Sequence, residues 1–296
     1  MAPSRRSLSV FTISGAGVAS GLALLALTGA SAVPAAAPAA LSLAPNNGPA
    51  ARLRTAHARP ITATPGWAST NWSGYAITTS SKFTSVTGAW SVPSVARTFS
   101  ATYSAAWVGI DGFANSSLIQ TGTEQDYYNG AAHYAVWWTT SAQGFAEQPI
   151  NEPVSRGDKI SAAITSGPNG NWTISLHDAT QSPAWTFTKV LPYSGPGASA
   201  EWIMEAPGVN GRQSSIANYG TTEFNPGFTT ALTGQVSVNG AALGSPRLVP
   251  GDGGELVAGN PRRGYTVTSI PSSPDATTQS AFNISYGSTA PTAPTS

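Results

Sequence analysis

The sequence predicts an all-β fold, and three observations support this. After residue 66 the chain contains short runs rich in Val, Ile, Thr, Tyr and Trp, and clusters of Gly, Pro, Asn and Ser separate these runs. Scarcely any segment shows the helical period. A single open sheet of so many strands would leave long edges and one uncovered face. We therefore predict a two-sheet antiparallel β-sandwich of the jelly-roll, concanavalin A-like type.

The predicted strands follow one another along the chain, with turn-forming residues between them. We predict strands at residues 85–92, 102–110, 132–139, 159–165, 172–177, 184–190, 200–204, 235–238 and 266–270. No repeat of fixed period appears, which argues against a propeller. Nine Trp and nine Tyr are present, and most of these rings are expected in the core. Any rings that face outward would line a groove for an extended polymer, either peptide or polysaccharide.

The N-terminus has the pattern of a signal peptide over residues 1–32. Arg5 and Arg6 form a basic start, residues 18–27 are mostly apolar, and residues 30–32 are small, as signal peptidase requires. The apolar run is too short and too interrupted for a membrane span of about 20 residues. We predict a secreted, extracellular protein with no membrane association after cleavage. The paired arginines also resemble a twin-arginine export signal.

Residues 33–65 are rich in Ala and Pro and contain no acidic residue, which is typical of a disordered propeptide or linker. Five of the fourteen Lys and Arg residues precede residue 66, whereas all thirteen acidic residues follow it. The basic leader could dock on the acidic domain, residues 66–296, and inhibit it; the alternative is an unstructured spacer. The acidic balance of the domain argues against a nucleic-acid partner. We expect a monomer.

The sequence contains few of the residues that metal sites and Ser-His-Asp triads require. There are no cysteines and only three histidines, and neither HExxH nor GxSxG occurs. Metal sites built on thiolates are therefore excluded, and a His-rich zinc site or a Ser-His-Asp triad would need His133 or His177. Four Asn-x-Ser/Thr sites could accept glycans in a secretory host; they are Asn71, Asn115, Asn171 and Asn283.

Two tracts place polar residues inside strand-like apolar sequence, where burial is costly without a partner or a task. Residues 107–124 read WVGIDGFANSSLIQTGTE, and residues 200–205 read AEWIME. The candidates for chemistry are Asp111, Gln120, Glu124, Glu201 and Glu205. Because residues two apart in a strand share a face, Glu201 and Glu205 are expected on the same face. A carboxylate there could act as a general base, and a second polar group could polarise a carbonyl.

At these residues the chain resembles the glutamic peptidases, also called eqolisins or the G1 peptidase family. The resemblance rests on four motifs in the family's order: TNWSGY (70–75), AAWVGIDG (105–112), LIQTGTE (118–124) and AEWIME (200–205). It implies a secreted endopeptidase of acidic pH optimum that hydrolyses proteins or peptides without a metal or cofactor. It also implies that Gln120 stabilises the oxyanion and that Glu205 activates water, with Glu201 the lesser candidate for the base.

The resemblance implies supporting roles for other residues as well. Asp111 and Glu124 match acidic positions near the family's site, and Trp72 with either Trp137 or Trp138 matches aromatic residues of its cleft. Two departures remove carboxylates: Thr139 or Trp138 stands where the family usually has Glu, and Ala206 follows the second glutamate. We therefore expect a pH optimum closer to neutral than that of the acidic relatives.

Two other functions remain open from the sequence. A glycan-hydrolysing jelly roll needs two carboxylates, and Glu201 with Glu205 has a suitable sequence spacing. A glycan-binding or other non-catalytic surface protein could keep the same fold. Gln120 separates these hypotheses, because only the peptidase mechanism requires it.

Overall fold

The structure is a computed structural model, and it describes residues 67–113, 115–227, 234–248, 255–260 and 266–295. The predicted signal peptide, residues 1–32, and the predicted leader, residues 33–65, lie outside the described residues and stay predictions.

The described residues form an almost entirely β structure, as predicted. The two short 3-10 helices are Ser141–Gln143 and Pro168–Gly170. The strands are β1 Trp67–Ser69, β2 Trp72–Thr78, β3 Phe83–Ser91, β4 Ala105–Ile110, β5 Ile119–Tyr128, β6 Ala131–Thr140, β7 Gln148–Ile150, β8 Lys159–Ser166, β9 Asn171–Asp178, β10 Trp185–Pro192, β11 Ser199–Glu205, β12 Gly208–Val209, β13 Arg212–Gln213, β14 Thr221–Phe224, β15 Gln235–Val238, β16 Ala241–Gly244, β17 Glu255–Asn260, β18 Thr266–Pro271 and β19 Phe282–Tyr286.

All nine predicted strands are confirmed, and their ends differ by a few residues. The largest difference is at residues 102–110, where β4 begins only at Ala105. Thr102 and Tyr103 instead form isolated bridges with Tyr127 and Ile216. Thr102 stays opposite β5 in the register of β4, whereas Tyr103 pairs with Ile216, so the ladder is interrupted between Thr102 and Ala105.

The strands form two layers. The front sheet has the order β7–β6–β5–β4–β11–β2–β17. The back sheet runs β10–β9–β8–β3, and β14 and β15 share the other edge of β3. Strands β19 and β18 connect β14 to β17, so that hydrogen bonding continues from one sheet to the other. All these pairings are antiparallel, and the short β1 pairs with β17 in parallel.

The main core lies between the two sheets. It contains Val108 and Trp202 of the front sheet and Trp90, Ile160 and Ile164 of the back sheet. Two buried indoles join the layers by hydrogen bonds: Trp202 Nε1 donates to the Thr87 carbonyl at 2.9 Å, and Trp90 Nε1 donates to Thr123 Oγ1 at 2.9 Å. The sandwich prediction is therefore confirmed, and the front sheet has a second face directed away from this core.

Candidate active site

The face of the front sheet directed away from the main core carries the predicted site residues. In an antiparallel sheet, residues directly opposite one another share a face, as do residues two apart along a strand. The ladder therefore defines three successive rows on this face. The first row is Thr139–Gln120–Gly109–Glu201, the second is Trp137–Gly122–Trp107–Ile203, and the third is Ala135–Glu124–Ala105–Glu205–Trp72.

A small apolar cluster, separate from the main core, covers the same face. It comprises Trp72, Ala76, Ala105, Trp107, Trp137 and Ile203, with Phe113 packed against it. Trp138 points the other way and packs against the main core. Of the two neighbouring tryptophans, Trp137 is therefore the one that lies at the site, and Trp138 does not.

The Trp107 indole links the first and third rows. Its Nε1 donates a hydrogen bond to Glu205 Oε2 at 3.0 Å. Its six-membered ring lies over Gly109, where an added Cβ would come within 2.8 Å of Trp107 Cζ3 and 3.3 Å of Glu201 Oε2. A Cβ at Gly122 would similarly approach Trp107 Cβ to 2.6 Å. Gly109 therefore leaves the space that the indole ring occupies, and Gly122 allows β4 and β5 to approach closely at the base of Trp107.

Glu205 is buried and is held by two N–H donors. Asn71 Nδ2 donates to its Oε1 at 3.0 Å, and Trp107 Nε1 donates to its Oε2. Trp72, opposite Glu205 in the ladder, packs edge-on against Trp107 with ring centroids 4.8 Å apart. Both carboxyl oxygens thus have a fixed orientation.

Burial is the main reason that the pKa of Glu205 is raised to about 8. The negative charge of Glu147 raises this pKa further, whereas the hydrogen bonds from Trp107 and Asn71 lower it. The Trp72 indole also lowers it, although its N–H reaches no hydrogen-bond partner in the described part of the chain. Glu205 therefore loses its proton near neutral pH, which suits a general base.

Asn71 is a site residue that the sequence reasoning missed. It is buried, and Ser69 Oγ donates to its Oδ1 at 3.1 Å, so that its amide N–H₂ is turned towards Glu205. The Asn71 carbonyl also accepts from the Ala206 N–H at 2.8 Å. The sequence had indicated Asn71 only as a possible glycan acceptor. The available signal was its position beside Trp72 in the TNWSGY motif.

The Gln120 side chain is fully buried, and neither its Nε2 nor its Oε1 has a hydrogen-bond partner among the described residues. A buried amide without partners is costly. Such a group is typical of a site whose partner arrives with a ligand. Its N–H₂ group is an unused hydrogen-bond donor in the first row, next to the Trp107 ring.

Glu201 lies in register with Gln120 across Gly109 and is also fully buried. Burial raises its pKa well above the usual value; the Ser199 hydroxyl lowers it and the charge of Asp111 raises it. Neither carboxyl oxygen has a partner in hydrogen-bond geometry within the described ranges. Glu201 is therefore stable as the neutral acid, unlike Glu205, which has donors for its ionised form.

Glu124 lies in the third row with Glu205 and is buried. Burial, then the charges of Glu147 and Asp126, raise the pKa of Glu124 well above its usual range. Sequence reasoning missed Glu147, which lies in the connection between β6 and β7 and is only half-buried. The loss of carboxylates expected from Thr139 and Ala206 is thus partly offset in space by Glu147, a residue that no motif indicated.

Asp111 lies at the end of β4 and accepts four hydrogen bonds. Its carboxylate accepts hydrogen bonds from Tyr193 Oη at 2.7 Å, Gly197 N at 2.8 Å, Ala198 N at 2.7 Å and Asn115 Nδ2 at 2.9 Å. It has φ 69°, a left-handed conformation that Asp tolerates better than most residues. These contacts join the end of β4 to the segment that enters β11, the strand carrying both candidate glutamates.

The described residues contain no group of three or more His, Cys, Asp or Glu placed to hold a metal ion. His133 stacks on Tyr128, and His177 lies against the Trp185 carbonyl. Within the described ranges, no helix is long and apolar enough to span a membrane.

Comparisons with known proteins agree with this geometry. The profile of the Peptidase A4 family matches residues 70–245, more than half of the chain. Among curated proteins, none matches the chain. Three solved structures share the fold. Scytalido-glutamic peptidase with a transition-state analog inhibitor has TM-score 0.57 and 19% identity, and its complex with a peptide-based analog has TM-score 0.54 and 20% identity. SCP-B, an eqolisin bound to the tripeptide Ala-Ile-His, has TM-score 0.53 and 20% identity.

Each of these three matches covers 73% of this chain and 98% of the solved chain. At such identities the likeness establishes the fold, and the family profile establishes membership. The motifs in the sequence and the rows on the front sheet lie within the matched residues. The chain therefore belongs to the Peptidase A4 family, the glutamic endopeptidases or eqolisins, and is a peptide-bond hydrolase by class.

Proposed function

We propose that this protein is a secreted endopeptidase in which Glu205 is the general base and Gln120 the oxyanion donor. The observation that carries the proposal is the contrast between the two buried side chains. Glu205 has both oxygens held by N–H donors, and Gln120 has a donor group with no partner among the described residues. Protein or peptide segments would bind along the outer face of the front sheet, over Trp107.

In this mechanism, ionised Glu205 accepts a proton from the attacking water, and the water oxygen bonds to the scissile carbonyl carbon. The carbonyl oxygen becomes negatively charged and accepts a hydrogen bond from Gln120 Nε2. Protonated Glu205 then gives its proton to the leaving amine as the C–N bond breaks. Gln120 cannot titrate, so its donor is present at any pH.

The choice between the two glutamates rests on their hydrogen bonds. A general base must be ionised before it reacts, and N–H donors stabilise the ionised form. Glu205 has two such donors, whereas Glu201 has none in the described part of the chain. Glu201 would then remain a neutral acid beside Gln120.

The pKa of Glu205, raised by burial to about 8, supports an optimum nearer neutrality than acid. Because Glu205 must be ionised to act, activity should increase as the pH approaches this pKa from below. A profile of kcat/KM whose acid limb lies near the ordinary glutamate pKa of 4.5 would contradict this part of the proposal.

The glycanase alternative is weakened by the register. Glu201 and Glu205 are four residues apart on one strand, so their Cα atoms are about 14 Å apart at about 3.4 Å per residue. A retaining glycosidase needs its two carboxyl groups about 5 Å apart, and here the Trp107 indole, which donates to Glu205 Oε2 and lies over Gly109 beside Glu201, stands between them.

The decisive experiment expresses residues 1–296 beside Glu205→Gln, Gln120→Ala and Glu201→Gln variants and follows casein digestion from acid to alkaline pH. We expect losses of about 100-fold or more for the first two variants and a smaller loss for Glu201→Gln. N-terminal sequencing of the secreted product tests export and leader removal. If Glu205→Gln and Gln120→Ala both digest as well as the parent, the mechanism is wrong. If only Glu201→Gln is inactive, Glu201 is the base.

A further inference from the structure

The outer face of the front sheet continues beyond its third row into a fourth. Asp126 lies opposite His133 in the ladder of β5 and β6. On the other side, the bridge between Thr102 and Tyr127 keeps the register of β4 and β5. Tyr103 therefore falls beside Asp126, although its own backbone bridge is made elsewhere. The fourth row is His133–Asp126–Tyr103, and it borders the row that contains the proposed general base.

Three aromatic rings stand together at this fourth row, and we call them the aromatic wall: Tyr103, Tyr128 and His133. The Tyr128 ring stacks on His133 with ring centroids 3.7 Å apart and on Tyr103 with centroids 6.0 Å apart. Asp126 is only 3% exposed, and its Oδ1 accepts from the Ser104 N–H at 3.1 Å. The wall therefore extends from the segment before β4 across β5 to β6 and bounds this end of the outer face.

Glu124 occupies the centre of a box of side chains between the wall and the second row. Its neighbours in the third row are Ala105 and Ala135, whose short side chains leave room beside the carboxyl. The second row places Trp107 and Trp137 diagonally across from it, and the wall lies diagonally across on the other side. Diagonal neighbours in a sheet are about 7 to 8 Å apart, within reach of aromatic side chains. We call this arrangement the Glu124 box.

The box holds a carboxyl group suited to a cation. Glu124 is 3% exposed, and its Oε1 is buried without a hydrogen-bond partner among the described residues. Strands β4, β5, β6 and β11 contain four acidic residues and neither Lys nor Arg. Burial raises the pKa of Glu124 well above its usual range, and a cation bound against the carboxyl would stabilise its ionised form. The faces of aromatic rings also attract cations, as in the aromatic cages that bind ammonium groups.

Resting on the proposed peptidase function, we propose that the Glu124 box is a specificity subsite for a basic side chain of the substrate, Lys or Arg, within three residues of the scissile bond. The cationic group donates to Glu124 Oε1, and the alkyl stem packs against the alanines and the rings. Glu124 and Glu205 lie two strands apart in one row, so their Cα atoms are about 10 Å apart. An extended peptide covers about 3.5 Å per residue, which sets the limit of three residues.

The test uses the full chain and pairs of peptides that differ only in Lys against norleucine, which lacks the ammonium group. The pairs place this residue in turn at each of the three positions on either side of one scissile bond, and mass spectrometry confirms which bond is cleaved. In the parent, Lys should raise kcat/KM at least about tenfold over norleucine at one of these positions. Because the ratio is taken within one enzyme, a general loss of activity cancels.

Four variants show which residues produce the ratio. Glu124→Gln keeps the size of the side chain but removes its charge, and should bring the ratio below about twofold. Tyr103→Leu should lower the ratio at least about twofold, whereas Tyr103→Phe should keep it, since the ring face contacts the cation. Glu152→Gln is the matched control for charge, because Glu152 is exposed, and should leave the ratio unchanged. Should Glu124→Gln not fold, the two variants of the half-buried Tyr103 still provide the comparison.

A Lys-to-norleucine ratio near one at every position in the parent would overturn the proposal. A ratio that stays high in Glu124→Gln would also overturn it, and equal ratios in the two Tyr103 variants would exclude the aromatic wall from the subsite. Activity that survives in Glu205→Gln would instead contradict the proposed function. The ratios in the parent and in Glu124→Gln would still decide whether the box selects a basic side chain.

Discussion

Replacing Glu205 by Gln should change how the stability of the protein depends on pH. Burial raises the pKa of Glu205 from 4.5 to about 8, so between these values the folded state binds a proton that the unfolded state has released. The contribution of Glu205 to the free energy of unfolding is therefore fully present below about pH 4.5. It is lost as the pH rises towards 8. A shift of about 3.5 pKa units corresponds to about 5 kcal/mol, at about 1.4 kcal/mol per unit.

The assay is urea unfolding of the parent and of Glu205→Gln between about pH 4 and about pH 9. Gln is nearly isosteric with protonated Glu and does not titrate, so the variant should gain up to about 5 kcal/mol relative to the parent across this range. The other buried carboxyls, Glu124 and Glu201, are present in both proteins and contribute in both. If the difference in unfolding free energy between Glu205→Gln and the parent stays constant within about 1 kcal/mol from about pH 4 to about pH 9, the reasoning is refuted.

Three further predictions concern the surroundings of Glu205. Gly109→Ala should displace the Trp107 indole and reduce kcat/KM at least about tenfold. The control is Gly167→Ala, whose Cβ would meet its nearest atom at 3.4 Å and which should leave kcat/KM unchanged. Equal kcat/KM values for the two variants would contradict this prediction. Asp111→Ala should lower the free energy of unfolding in urea by at least about 3 kcal/mol. Tyr193→Phe removes one of the donors to Asp111 and should lower it by less. An unchanged unfolding free energy in Asp111→Ala would show that its hydrogen bonds do not hold β4 to the segment before β11. Asn71→Ala removes a donor to ionised Glu205, so the acid limb of kcat/KM should move to higher pH; a fixed limb would show that this hydrogen bond is unimportant.

Much of the fold followed from local sequence pattern. Strand β11 reads SAEWIME, and its alternation placed Glu201, Ile203 and Glu205 on one face and Trp202 and Met204 on the other, as the structure has them. Alternation along a strand depends only on backbone geometry. The register between strands depends on contacts across the sheet. The sequence therefore did not indicate that Gln120 aligns with Glu201 and that Glu124 aligns with Glu205.

Motifs made much of the candidate site predictable, although Asn71 was missed within the TNWSGY motif. Gln120, Glu124, Glu201 and Glu205 were all indicated in this way, and they lie on one face. Glu147 was not, because it belongs to a connection whose conformation depends on hydrogen bonds to Thr139 and Gln148. Connections are positioned by the elements that they join, and their side chains have no periodicity from which a face can be assigned.

The space under the Trp107 indole limits how this enzyme could be redesigned. Gly109 and Gly122 leave no volume on β4 and β5 for a larger side chain, since any Cβ there meets the indole or the adjacent backbone. Attempts to change substrate preference by substituting these two glycines should therefore yield mostly inactive variants. The connection from Ser141 to Glu147 includes exposed positions and borders the same face, so libraries for altered selectivity should begin there.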